Sequence, residues 1–253
     1  MAQRYFIELA YKGGAYSGFQ IQQNAPTIQG EVERALKVFF KADFSLTGSS
    51  RTDAGVNALQ NYFHFDVEKP LSNLDQAPYH LNAILPTDIV IKGIYQVEQS
   101  AHCRFDALSR SYEYRIYSFK NPFLEELAFY FPYRLDVEVM QQAALLVKGL
   151  KQFEAFSKKH AQVNNFECTI YESEWRKTID GLSYFVTGNR FLRGMVRGLV
   201  ATMLRVGTGK ISVDEFEYLL NAQKQASADF SAPGHGLYLS RITFPSAGIF
   251  TVL

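Results

Sequence analysis

The sequence predicts an α+β protein made of two ferredoxin-like halves of split βαβ order. The halves are expected to join into one extended, mostly antiparallel sheet with helices on one side and a central cleft. Three observations carry that expectation. Runs of period two and runs of helical period follow one another as strand, helix, strands, helix, strand, and do so twice, with an extra helix the second time. The halves, residues 1–104 and 105–253, share this order without sharing sequence. A chain of 253 residues with 47% hydrophobic and 15% aromatic residues can bury the core of one large domain or two modest ones.

Residues 4–11 alternate as a strand and enter a glycine-rich loop, Lys12-Gly13-Gly14-Ala15-Tyr16-Ser17-Gly18, that ends at Phe19 and Gln20. Thr27 is placed to cap a helix with Glu31 in its first turn and Ile28, Val32, Ala35, Leu36 and Phe39 at helical spacing. Residues 44–46 and 61–67 read as strands. In the second, Tyr62, His64 and Asp66 oppose Phe63, Phe65 and Val67, and the polar segment 48–57 lies between the two strands. Residues 74–85 read as a helix and 88–97 as a strand. In the second half 109–117, 167–176, 182–188 and 237–244 read as strands, and 137–150, 191–206 and 213–220 as helices.

Composition narrows the function classes. Two cysteines, Cys103 and Cys168, give neither a disulfide framework nor a metal-ligand spacing, so two reduced, partly buried thiols are expected. The most hydrophobic helical stretch, 191–206, carries Arg193, Arg197 and Arg205, which argues against a membrane span. The N-terminus passes directly into strand-like alternation with no apolar leader, and the cytoplasm is the expected compartment. With 26 Lys+Arg against 25 Asp+Glu, the net charge of +1 gives no reason to suspect a polyanionic partner. That neutrality hides a local excess. From 189 to 210 there are five basic residues and no acid, and on a helix Arg190, Arg193 and Arg197 would share one face opposite Leu192, Met195, Val196, Leu199 and Met203. Gly194 and Gly198 would let another backbone approach that helix.

Three segments hold candidate chemistry. The run Gly48-Ser49-Ser50-Arg51-Thr52-Asp53-Ala54-Gly55-Val56-Asn57 places one acid among hydroxyls and a base, although Asp-Ala-Gly alone is also ordinary turn chemistry. Arg110, Tyr112 and Tyr114 fall two apart on a strand and so share one face. Such a basic, aromatic face suits nucleic acid, and equally an exposed strand packed by its tyrosines. The third segment is the arginine-bearing helix, whose apolar stripe is simply core.

Taken together these segments resemble one family, the TruA-type tRNA pseudouridine synthases. The likeness rests on Arg51-Thr52-Asp53-Ala54-Gly55-Val56, the segment from Phe105 to Tyr114 with its Arg-x-Tyr-x-Tyr, and Phe191-Leu192 through Met195-Val196-Arg197. Tyr16-x-Gly18-Phe19-Gln20, Thr27-Ile28-Gln29-Gly30, residues 82–86 and Gly236-Leu237-Tyr238-Leu239 extend it along the whole chain.

The resemblance implies an isomerase that converts uridine to pseudouridine in the anticodon stem-loop of tRNA, at positions 38–40, with no cofactor and no metal. The family's indispensable aspartate matches Asp53, which would act on the ribose or base of a flipped uridine so that the N1–C1′ bond breaks and C5 reattaches. A single carboxylate also departs from two-carboxylate glycoside hydrolysis. By the same resemblance Arg197 would reach Asp53 across an RNA-binding cleft and keep it ionised. Tyr112 would stack on the target base and, as a catalytic group, handle the proton at C5, and Leu237 would form an apolar wall. Arg51, Arg104, Arg110, Arg193, Lys12 and Gln20 would contact phosphates and the stem. A homodimer that cradles one tRNA is implied as well.

The sequence departs from the family pattern at three positions. Asn57 stands where His is usual, Phe19 where Trp is usual, and Ser50 where many members have Gly. Asn57 cannot titrate near neutrality and is assigned no catalytic role, while Phe19 keeps a face able to stack on RNA. Two other functions fit the same surfaces: RNA binding or chaperoning without turnover, and the same isomerisation on another RNA.

Overall fold

The computed structural model describes residues 2–158, 165–222 and 228–245. The chain divides into two compact units, one comprising Met1–Leu108 and the chain from Leu239 onward, the other Ser109–Tyr238. The division falls a few residues beyond Arg104, and the chain from Leu239 onward clusters with the first unit.

The first unit contains β1 (Gln3–Tyr11), α1 (Ile28–Phe40), β2 (Thr47–Gly48), β3 (Asn57–Val67), α2 (Ala77–Ile84) and β4 (Ile89–Val97). β1 lies between β4 and β3, antiparallel to both, with Ile7 opposite Phe63 on one side and Ile94 on the other. β2 adds to the far edge of β3, also antiparallel. The Thr27 hydroxyl accepts the Gly30 N–H and caps α1, whose Ile28, Val32, Ala35 and Leu36 are buried. The Asn82 amide bonds both main-chain groups of Ile91 at 2.9 and 2.8 Å and fixes α2 to β4.

Three expectations for this unit are corrected. Residues 44–46 form no strand, because the Leu46 main chain bonds the side chains of Glu33 and Gln29 on α1 instead of a neighbouring strand. The helix expected from residue 74 starts at Ala77, after a turn that brings the N–H groups of Gln76 and Ala77 to the Asn73 carbonyl. β3 begins at Asn57, and its alternation does not mark a wet face, since Asn61 through Phe65 are all buried. Tyr62 meets Phe244 edge-on at 5.2 Å and His64 meets His102 at 4.5 Å, so the polar face is itself covered.

The second unit contains β5 (Ser109–Tyr117), β6 (Phe129–Tyr130), α3 (Val137–Lys148), β7 (Ile170–Thr178), β8 (Gly181–Gly188), α4 (Met195–Gly207) and α5 (Val213–Asn221), and the chain then enters β9 (Leu237–Thr243). β8 lies between β5 and β7, antiparallel to both, and the short β6 pairs parallel to β5. α4 is buried along almost its whole length. Ser173 on β7 donates to the Ala144 carbonyl of α3 at 2.7 Å and lies 2.7 Å from the Tyr184 hydroxyl of β8.

Here too the sequence reading is corrected. α4 begins at Met195, not at 191, because Gly194 sits at φ +74°, outside the right-handed helical region, with the Lys158 side chain packed where a Cβ would be. Arg190 and Arg193 therefore precede the helix and do not form a stripe with Arg197. Gly198 faces the rings of Phe230 and Phe156, so side chains, not a second backbone, use its lack of a Cβ. β7 starts at Ile170 because residues 166–169 bond to Lys151, Phe153 and Asn189 instead. Both thiols are fully buried, not partly. Among the described residues no helix is long and apolar enough to cross a membrane, and no group of three or more His, Cys, Asp or Glu is arranged so that it could hold a metal ion.

Candidate active site

Asp53 lies on the excursion between β2 and β3, half-buried between buried Thr52 and exposed Ala54. The excursion is built from short polar residues that satisfy one another away from water. Ser49 N–H donates to the Tyr62 carbonyl at 2.8 Å. The fully buried Asn61 amide donates to the Ser50 carbonyl at 3.0 Å and to the Tyr11 hydroxyl at 3.1 Å, and the Tyr11 hydroxyl lies 2.8 Å from Thr52 Oγ1.

Both peptide groups flanking Asp53 are held. The Thr52 carbonyl accepts the Phe19 N–H at 3.1 Å, and the Asp53 carbonyl accepts the Val56 N–H at 3.2 Å across a turn that needs Gly55 at φ +76°. With the backbone fixed on either side, the side-chain torsions are what remain for the carboxylate to adjust.

The glycine-rich loop is the second half of this support. Asn57 Oδ1 accepts the Gly13 N–H at 2.9 Å, and a Cβ at Gly13 would collide with the Val56 carbonyl. The residue at 57 thus joins two loops, a role that asks for an acceptor and not for a titrating group. Phe19 is 1% exposed and stacks on Phe63 with ring centroids 4.5 Å apart. It belongs to the core, which corrects the expectation that it faces RNA. Arg51, Lys12 and Gln20 are exposed on these same loops. Arg104 is exposed, 5.8 Å from the Phe105 ring centroid, and its N–H meets His102 Nδ1 at 3.2 Å.

In the second unit Tyr112 is half-buried on β5, edge-on to Phe191 with centroids 5.1 Å apart, and Arg110 donates to the Asn189 carbonyl at 3.0 Å. Tyr114 shares their face but is fully buried, which corrects the reading of an open aromatic strand. Its hydroxyl donates to the Pro233 carbonyl at 2.8 Å, and burial pushes its pKa far up. Arg197 stands in the first turn of α4, with Nε donating to the Ala232 carbonyl at 2.6 Å. Gly236 packs on the Tyr114 ring at a spacing that leaves no room for a Cβ. Arg197 and Tyr114 thereby strap residues 232–236, the segment that delivers Leu237, which is buried. Arg193 is exposed, and Arg190 donates to Asn165 Oδ1 at 3.1 Å.

The first unit therefore carries Asp53, Arg51, Lys12 and Gln20 on adjoining loops, and the second carries Tyr112, Arg110, Arg197 and Leu237. Sequence reasoning missed Tyr11, Asn61 and the strapping role of Tyr114. The one available signal was polar residues placed in otherwise apolar strands.

Comparison with known proteins shows the family. The family model for tRNA pseudouridine synthase matches residues 9–106 and 143–245. A protein of Parabacteroides distasonis described as tRNA pseudouridine synthase A is 40% identical over 96% of this chain and 96% of its own length. Proteins of the same description from Porphyromonas gingivalis (42% identical, 96% of this chain and 98% of that one) and Bacteroides fragilis (40% identical, 96% and 97%) match over the same extent. Among solved structures, a protein of unknown function from Galdieria sulphuraria aligns with 81% of this chain and 92% of its own at 16% identity, with a TM-score of 0.24 that carries no argument. The curated matches define an isomerase. The chain belongs to the tRNA pseudouridine synthase family.

Proposed function

We propose that this enzyme isomerises uridine to pseudouridine in the anticodon stem-loop of tRNA, at positions 38–40, with Asp53 as its essential carboxylate. The observation that carries the reading is the Asp53 loop. It holds a half-buried acid with both flanking peptide groups pinned, inside the segment matched by the family model. Fixed placement of one reactive group is what a reaction without a second carboxylate depends on. In the reaction the N1–C1′ bond breaks, a C5–C1′ bond forms, C5 loses its hydrogen as a proton and N1 gains one. The substrate is an isomer of the product, so no co-reactant is consumed.

Tyr112 stacks on the flipped base, with Phe191 holding its ring edge-on. Arg197 keeps the Asp53 carboxylate ionised and directed, and Leu237 supplies an apolar wall. Arg51, Arg104, Arg110, Arg193, Lys12 and Gln20 contact phosphates and stem, positioning the RNA without reading its sequence. The chain works without cofactor or metal. The proposal also takes the halves as split βαβ units that share a sheet and a central cleft; the order β4-β1-β3 with β2 beside β3 supports the split βαβ reading of the first unit. It further includes a cytoplasmic homodimer. The exposed Phe119, Phe123 and Tyr133 offer the second unit an apolar surface of the kind that marks interfaces. Light scattering that finds only monomers overturns the dimer.

The deciding experiment measures tritium released from tRNA labelled at uridine C5. Wild-type protein releases it with multiple turnover, and Asp53→Asn abolishes release while still binding tRNA. Release by that variant overturns the mechanism. Stoichiometric binding by wild type with no pseudouridine formed returns the protein to RNA binding alone. Mapping pseudouridine in all RNA of cells with and without the protein separates tRNA from other substrates.

A further inference from the structure

Asn61 lies in the middle of β3, fully buried, where a strand between two apolar layers ordinarily holds an apolar residue. Both ends of its amide are used. Nδ2 donates to the Ser50 carbonyl and the Tyr11 hydroxyl, while Oδ1 accepts the Tyr62 N–H at 2.9 Å. The Tyr11 hydroxyl in turn lies 2.8 Å from the Oγ1 of Thr52, the residue before Asp53. A buried polar group unsupported by partners costs about 1–3 kcal/mol, so a sheet that needed only stability would place aliphatic side chains here. What these groups do is tie two points of the Asp53 loop, the Ser50 carbonyl and the Thr52 hydroxyl, to two strands of a rigid sheet.

We infer that Tyr11 and Asn61, acting through Thr52, are positioning residues for the isomerisation: they set the direction of the Asp53 carboxylate and do not touch the substrate. The inference rests on Asp53 being the essential acid. Tyr11 and Thr52 come from separate segments, and only the fold brings their hydroxyls together. The three polar groups form a chain Asn61, Tyr11, Thr52 that ends one residue short of the reacting carboxylate. Losing one link lets the loop sample neighbouring conformations, and a misplacement of about 1 Å costs on the order of a hundredfold in rate.

The test uses the full-length enzyme, with single-turnover tritium release as the rate and filter binding as the tRNA affinity. Tyr11→Phe and Thr52→Val keep the shape and remove the hydroxyls. Each is expected to lower the rate constant at least about tenfold while the tRNA Kd stays within about twofold, the split expected of interactions realised only in the transition state. The double variant is expected to be about as slow as either single one, since the two hydroxyls form one link. Thr52→Ser, which restores the hydroxyl, is expected to recover most of the rate. Rates are read well below each variant's melting temperature, so a purely structural role leaves them unchanged. Single variants with rates within about twofold of wild type, beside an inactive Asp53→Asn, overturn the inference and leave the function standing. An active Asp53→Asn overturns the function itself. If Tyr11→Phe does not fold, the contrast between Thr52→Val and Thr52→Ser decides.

Discussion

Acidification should destabilise the first unit through one histidine. His64 is 6% exposed on β3, and burial, together with the positive charge of nearby His102 and Arg4, lowers its pKa from 6.5 to about 4. Its Nδ1 faces the Cys103 N–H at 3.4 Å and Cys103 Sγ at 3.1 Å, an environment made for a neutral ring that accepts. The folded pKa lies below the unfolded one, so between the two values the unfolded chain binds more protons and stability rises with pH. The contribution is complete above about pH 6.5 and is lost as the pH falls towards 4. The gap corresponds to about 3 kcal/mol in full, of which about 1 is lost by pH 5.5 and 2–3 by pH 4.5. Urea unfolding followed by circular dichroism at about pH 7.5, 5.5 and 4.5, on wild type and His64→Phe, reads the effect as a difference in pH dependence. The comparison cancels much of the contribution from His102, whose pKa burial also lowers, and from Asp66, held low by its bond to Arg4. The aromatic replacement retains the stacking on Phe6 and removes the titration. Parallel loss of stability in the two proteins from pH 6.5 downward would refute the assignment to His64.

Phe19→Trp, which installs the residue usual in the family, forces a larger ring between Phe63 and Gly48. It is expected to cost about 1–3 kcal/mol in urea unfolding while tRNA affinity stays unchanged, because the side chain is core. Asn57→Ala removes the acceptor of the buried Gly13 N–H, and a loss of about 1–3 kcal/mol should appear as a lower urea midpoint. Ser173→Ala strips the hydroxyl that joins α3 to β8, and calorimetry should show a destabilisation of about 1–3 kcal/mol with the rate of tritium release retained. Filter binding across a salt series should show tRNA affinity falling as salt rises; a flat response would remove Arg51, Arg104, Arg110, Arg193 and Lys12 as phosphate contacts.

Some of this was readable from local chemistry alone. Thr27 with Ile28, Val32, Ala35 and Leu36 specifies α1 without help from the rest of the chain. What failed was decided at a distance. The start of α4 depends on Gly194 adopting positive φ against Lys158, which no periodicity reveals. Tyr62 and His64 alternate like a wet face, and only Phe244 and His102 show that the face is covered. The site divides in the same way. Arg51 to Val56 form a contiguous motif that can be recognised in sequence. Tyr11 and Asn61, which hold that motif, are ordinary strand residues until the sheet brings them beneath it.

The first unit is discontinuous in the chain, and that governs the order in which it can be made. β3 has β1 on one side, while on the other its neighbour from Leu239 onward is β9, where the Ile242 N–H reaches Gln60 Oε1 at 2.9 Å. A ribosome delivers Asp53 and all of β3 early, yet the strand that finishes the sheet around them emerges only after the whole second unit. Until then the part of β3 that β2 does not pair carries an open edge, and the nascent chain holds the Asp53 loop over an unfinished sheet. Assembly of the sheet beneath Asp53 thereby waits for synthesis of the chain through β9.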